Sequence, residues 1–308
     1  MHGQRAGRVA RPVAAAVLCL AALGAAGACR AEALGLCEGA RTASAAEQDR
    51  ALRLAGAVKA ELAAADAGMA IIARSGLDLA RFGFRHSHAG FALPPAGSAR
   101  GWSVRQLYYA CDEGRPRLFD QGLAGFLLGA GDEAPAYATL VLLPADAAGG
   151  LERAARDDAL ALQLLGADYS ANAHAFALRY QNCNQWVAEM LAVGWGASAP
   201  TRASAQRWLR EAGYEPGVFD GAAQPLAWFA SAFVPHVHAD DHPAEDLAQR
   251  RYRVSMPSAL EAFVRARLPE ARRVELCRTE RHIVVHRGWE PIAEGCVAGQ
   301  GDTLIALD

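Results

Sequence analysis

The chain has 308 residues, with 31 Lys and Arg against 33 Asp and Glu, a net charge of −2, and 52% hydrophobic and 21% charged residues. That apolar content suffices for a sizeable core and excludes a disordered chain, while the length suits one large domain or two modest ones. Near-neutral charge, a lone Lys59 and the lack of any Arg stripe exclude a nucleic-acid binder held by backbone electrostatics.

At the N-terminus Arg5, Arg8 and Arg11 precede an apolar run from Val13 to Ala28, followed by small residues. This order reads as an export signal over residues 1–33 rather than a membrane span, and makes the mature protein periplasmic or secreted. Ala31-Glu32-Ala33 offers cleavage before Leu34; Ala26-Gly27-Ala28-Cys29 is a weaker lipoprotein box that would instead anchor the chain through Cys29. No second spanning run follows, so no transmembrane segment is expected once the signal is removed.

Residues 45–65 carry Leu52, Leu54, Ala57, Val58 and Leu62 at helical spacing with polar residues opposite, which predicts an amphipathic helix. Met69–Ala73 and His88–Leu93 read as strands. Pro94-Pro95-Ala96-Gly97 is a turn, and Trp102–Ala110 alternates as the second arm of a hairpin. Tyr137–Leu143 is a buried strand and Leu151–Leu165 a helix. Asn182 caps a helix over 182–193 whose buried stripe is Trp186, Val187, Met190 and Leu191. Ser204–Ala212 is a further helix. The C-terminal part predicts a helix at Ser258–Arg267 and strands at Arg273–Cys277 and His282–Arg287. Helices and strands in this mixed order give the class α+β.

Once the signal is removed, Cys37, Cys111, Cys183, Cys277 and Cys296 remain, an odd number. An oxidising compartment pairs thiols. Cys277 and Cys296 flank a strand and form a natural local pair, and Cys37 with Cys111 is the second candidate bridge, which leaves Cys183 single. A thiol at a helix N-terminus is stabilised as thiolate by the dipole and by unsatisfied N–H groups. His88, on a strand, suits a proton-shuttling partner, with His86 as its substitute two residues earlier. The alternative for Cys183 is a buried thiol that behaves as a small hydrophobe.

Ser87-His88-Ala89-Gly90 opening a strand and Asn182-Cys183-Asn184-Gln185-Trp186-Val187 opening a helix, in that order, resemble circularly permuted papain-like cysteine enzymes. These are the permuted relatives of NlpC-type hydrolases, a group that includes lecithin:retinol acyltransferase-like proteins. More closely, the chain resembles the exported bacterial family called domain of unknown function 2145. Arg74-Ser75-Gly76-Leu77-Asp78-Leu79, Arg105 to Glu113, Tyr180 to Trp186 and Ser255-Met256-Pro257 carry that likeness. The first resemblance implies a permuted papain-like core with an antiparallel sheet and a catalytic helix over 34–223. A His-rich loop and α+β extension over 224–308 would pack on it. It also implies Cys183 as nucleophile and His88 as base. Hairpin geometry places Gln106 to Tyr108 opposite His88, so Gln106 is the candidate that orients the imidazole, with Asp112 as fallback. Asn182, Tyr180 and Asn184 are the candidates for substrate and oxyanion contacts. The expected substrate is an envelope amide, ester or thioester, either a peptidoglycan stem peptide or a lipid acyl group, handled without cofactor or metal. The rival is a non-catalytic envelope binding or scaffolding protein on the same fold.

His236, His238, Asp240, Asp241 and His242 also suit a metal by residue type. Asp241 stands where a helix N-cap belongs, before Pro243 and Glu245, which explains part of the cluster without one. His282 and His286 share a strand face and read as surface or core residues.

Overall fold

A computed structural model describes residues 43–65, 68–96, 101–130, 135–221 and 236–307. The expected export signal, both cleavage alternatives and Cys37 lie outside the described residues. In chain order the first elements are α1 (Ala45–Ala64), β1 (Ala70–Arg74), β2 (His88–Leu93), β3 (Ser103–Ala110), β4 (Arg115–Gly122), α2 (Leu123–Leu128) and β5 (Ala136–Leu142). There follow α3 (Ala145–Arg156), α4 (Asp158–Gln163), β6 (Asp168–Tyr169), β7 (Tyr180–Gln181), α5 (Cys183–Trp195) and α6 (Arg202–Glu211). The chain ends with β8 (Gly217–Asp220), α7 (Ala244–Ala248), β9 (Arg251–Val254), α8 (Pro257–Arg267), β10 (Arg272–Arg278), β11 (His282–Arg287) and β12 (Thr303–Ala306).

The protein is α+β. Eight strands form one sheet in the order β12-β11-β10-β5-β1-β2-β3-β4, and every neighbouring pair is antiparallel. Side chains alternate across a strand, so each strand feeds two layers. Ile72, Ala92, Val104, Leu140 and Leu276 pack under α1 and α2 with Leu54, Val58, Leu62 and Phe126. Ile71, Phe91, Leu107 and Val141 pack on the opposite face with Leu151, Trp186, Val187, Met190, Leu260 and Phe263 from α3, α5 and α8. Each such large side chain contributes about 1.5–3 kcal/mol of burial energy.

Helix α1 opens on a capping box: the Glu47 N–H donates to Ser44 Oγ at 3.2 Å and the Ser44 N–H to Glu47 Oε2 at 2.6 Å. Leu52, read as part of its buried stripe, is 60% exposed, because Leu54, Val58 and Leu62 already define the face that meets the sheet. The single helix expected over 151–165 is two. Asp157 leaves the helical region with ψ 105° and caps α4 by accepting from the Leu160 N–H at 3.1 Å. Strand β10 lies between β5 and β11, so residues 272–306 continue the same sheet as β1–β5. Cys277 on β10 is bridged to Cys296, with Cα atoms 5.7 Å apart. Among the described residues no helix is long and apolar enough to cross a membrane.

Helix α5 is held by a buried charge network. Glu189 has no exposed surface and accepts from Arg202 Nε at 2.9 Å, Gln181 Nε2 at 2.6 Å and Gln206 Nε2 at 2.7 Å. Arg202 also donates to the carbonyls of Leu178 at 2.7 Å and Tyr180 at 2.9 Å. The loop that enters α5 is thereby tied to the helix it starts, which fixes the position of Cys183.

Candidate active site

Cys183 is the first residue of α5, and Asn182 is its N-cap. Asn182 Oδ1 accepts from the Gln185 N–H at 2.7 Å, while its Nδ2 donates to the carbonyls of Ala171 and Ser255, both at 3.3 Å. Both ends of this carboxamide are therefore engaged in holding the helix start. The strand register explains where the sulfur goes. β1 and β2 pair as far as Arg74 opposite His88, whereas β2 and β3 pair only over 91–93 and 103–105. Ala89 thus has no β3 partner, and the Ser87 N–H is turned to Arg74 O on β1 at 3.0 Å, away from β3. Cys183 fills that seam: its Sγ lies 4.0 Å from Ser87 O, and the Ala89 N–H is directed at it. Asn184 Nδ2 donates to the same carbonyl at 3.1 Å.

The imidazole of His88 is held from the other side of β2. Its Nε2 is hydrogen-bonded to Gln106 Oε1, and its ring packs 5.8 Å from Phe126 and 6.1 Å from Tyr108. A carboxamide oxygen only accepts, so Nε2 carries the proton and Nδ1 keeps the lone pair. Gln106, singled out from hairpin geometry, is brought to His88, while Asp112 is exposed in the β3–β4 turn. The thiol and the imidazole are not hydrogen-bonded to each other: Cys183 reaches the backbone flanking His88, and the ring is turned to Gln106.

Burial dominates the electrostatics. Cys183 is 5% exposed, and desolvation pushes its thiol up to about 11, against the pull of Arg74 and of the Ala89, Asn184 and Cys183 N–H groups. His88 is pulled down to about 3, first by desolvation and then by Arg74, with the Gln106 bond acting the other way. At neutral pH the pair is therefore neutral thiol and neutral imidazole. Arg74, which no sequence motif assigned to the site, is the charged group that acts on both.

Residues 61–264 match the family described as uncharacterized protein conserved in bacteria, DUF2145. The chain belongs to that family. The DUF2145 span runs from the end of α1 into α8 and contains Arg74, His88, Gln106 and Cys183. No curated protein and no solved structure matches the chain.

Other candidate residues of this DUF2145 protein lie away from the sulfur or do different work. Tyr180 stacks on His238 with ring centroids 4.6 Å apart and planes 12° apart. His86 Nε2 is bonded to Thr139 Oγ1 at 2.9 Å and approaches Glu275 at 3.8 Å, in a second charged cluster with Glu261, Arg273 and Arg85. The His-rich segment runs along the loop that precedes α5. His236 O accepts from the Ala171 N–H at 2.7 Å, and the His236 ring sits 4.1 Å from Tyr109. His242 Nε2 is bonded to Asn172 O at 2.8 Å. Asp241 does not cap α7, as its position suggested. Its Oδ2 accepts from the His174 N–H at 2.9 Å, and Pro243 stands at the cap. Among the described residues no group of three or more His, Cys, Asp or Glu side chains is arranged to hold a metal ion. His282 and His286 are bonded to Thr279 Oγ1 and Asp302 Oδ1 at 3.2 and 2.7 Å.

Proposed function

We propose that the protein is an exported thiol hydrolase or acyltransferase with a circularly permuted papain-like core, acting on an amide, ester or thioester of the cell envelope. Its Cys183–His88 pair does the chemistry. The observation that carries this reading is the His88–Gln106 bond on one side of β2, which leaves Nδ1 unprotonated, with a sulfur seated on the backbone of Ser87 and Ala89 on the other. The thiol is protonated at rest, so the nucleophile forms during attack. The His88 ring lies on the α2 side of β2 and Cys183 on the α5 side, so attack requires the start of β2 to turn until His88 Nδ1 takes the Sγ proton as the sulfur adds to the carbonyl. The N–H groups of Cys183 and Asn184, at the open end of α5, face the developing oxyanion. His88 then returns the proton to the departing amine or alcohol, and water or an acceptor hydroxyl releases the acyl group by the reverse steps. The basic and apolar N-terminus and the Cys277–Cys296 bridge support export.

Release of amine from peptidoglycan stem peptides, or of fatty acid from phospholipid, tests this reading. The expected result is turnover that Cys183→Ala abolishes and His88→Asn reduces on the order of a hundredfold or more. Turnover unchanged in Cys183→Ala overturns it. A second reading, a non-catalytic envelope binding or scaffolding protein on the same fold, is favoured by one observation: the thiol is 5% exposed and held protonated.

A further inference from the structure

Arg74 ends β1, directly across the ladder from His88. It is 6% exposed. Its guanidinium donates to Ser75 O at 3.1 Å and to Gly129 O at the end of α2, and it lies over the Phe126 ring at 5.2 Å. Nε is buried without a partner. Among the described residues no carboxylate balances this charge; the acidic groups near enough to act on it are Tyr108 and Cys183. A buried guanidinium without an anion is expensive, so its surroundings favour the formation of one. The Cys183 thiol feels this charge, which pulls against its burial. A Cβ on Gly76 would lie 2.7 Å from Arg74 Nη1 and 3.2 Å from Ser87 Oγ, so the guanidinium and Ser87, whose carbonyl contacts Cys183 Sγ, border the same small space that the missing side chain leaves.

We propose that Arg74 is the counter-charge of the Cys183 thiolate, filling the role that neutral Gln106 leaves open beside His88. This rests on the reading of Cys183 as nucleophile. An imidazolium at position 88 is disfavoured by the same cation, so His88 works as a neutral base and the anion is balanced from β1. The proton lost from Sγ goes to His88 Nδ1 during attack, or to buffer when the thiol is titrated. The other ionisable groups of these elements are Tyr108 on β3, which acts on Arg74, and Tyr169 on β6, which burial pushes well up and the sulfur acts on; α2 contributes none. A purely structural Arg74, bridging β1 to the carbonyls behind α2, would leave the thiol titration untouched.

The test is the pH dependence of Cys183 alkylation by iodoacetamide in the folded full chain, read by peptide mass spectrometry. The wild type is expected to show one rise with pH and no low-pH plateau. His88→Asn is expected to keep the midpoint within about 0.3 units, whereas Arg74→Gln raises it by about one unit, a roughly tenfold slower reaction below the midpoint. Arg74→Lys restores most of that loss. A low-pH plateau that His88→Asn removes, or an unmoved midpoint in Arg74→Gln, overturns the proposal. Should Arg74→Gln fail to fold, Gly76→Ala decides: its Cβ would lie 2.7 Å from Arg74 Nη1 and displace the guanidinium, so a raised midpoint sustains the proposal and an unmoved one overturns it. Turnover lost in Cys183→Ala with no Arg74 effect overturns this inference and keeps the enzyme. An Arg74-dependent titration with turnover surviving in Cys183→Ala does the reverse.

Discussion

Arg202 and Arg74 are both guanidiniums carried into the interior next to α5, and they are treated in opposite ways. Arg202 meets Glu189 and a ring of carbonyls and amides, so charge and hydrogen bonds close on themselves. Arg74 meets the carbonyls of Ser75 and Gly129, keeps an unpartnered Nε, and acts on Cys183 and His88 with no carboxylate among the described residues to balance it. A completed pair fixes a helix; an uncompleted one, on our proposal, stabilises an anion that forms transiently. The contrast teaches that the same residue type serves architecture or chemistry according to whether its counter-charge is already present.

Removing the counter-charge at the architectural end is expected to produce the largest effect. Glu189→Ala leaves Arg202 buried and unpaired and should lose about 3–5 kcal/mol in urea unfolding, because the desolvated cation has nothing to replace the carboxylate. A loss below about 1 kcal/mol would mean that water enters the network.

Acid should break the reactive end next. His86 and His88 are each pulled from 6.5 to about 3, first by burial, then by Arg273 and Arg85 for His86 and by Arg74 for His88. Between those values the unfolded chain binds protons that the folded chain refuses. Their contribution is therefore complete above about 6.5 and is lost as pH falls toward 3. The urea midpoint should decline between pH 7 and 5, before carboxylates titrate, and His88→Asn should flatten that decline. At the alkaline end Cys183, held near 11 against 9.0, should make stability fall as pH rises through 9 toward 11.

A smaller perturbation sharpens the contrast. Gln106→Glu places a carboxylate on His88 Nε2 and should raise the imidazole pKa by about one unit or more, as read by NMR titration of the ring. The smallest effect is expected for Cys183→Ala, which removes only a sulfur from the seam and should cost about 1 kcal/mol of stability.

Much of the scaffold was legible. Strand His88–Leu93, strand His282–Arg287 and the Asn182 cap carry signals local to the chain: an apolar run ended by Pro94, a β-branched run, and a carboxamide before an apolar stripe. β4 was missed because Arg115-Pro116-Arg117 looks unlike a strand, yet it lies at the sheet edge, where Pro and charge are tolerated. β12, with all four residues exposed, is the other edge and shows no burial pattern. At the site, Cys183, His88 and Gln106 could be named from motif order and hairpin register. Arg74 could not, because only the pairing of β1 with β2 sets it opposite His88. Its visible signals, an Arg closing the otherwise apolar run Ala70-Ile71-Ile72-Ala73 and opening the Arg74–Leu79 run of the family likeness, assign it no role.

Whether Cys183 carries an acyl group is the most direct test. The purified chain, mixed with a p-nitrophenyl acyl ester and quenched early, should yield a Cys183 peptide heavier by one acyl group, formed on the order of a hundredfold more slowly in His88→Asn. An acyl group found elsewhere, or on Cys183 at the same rate without His88, contradicts the account.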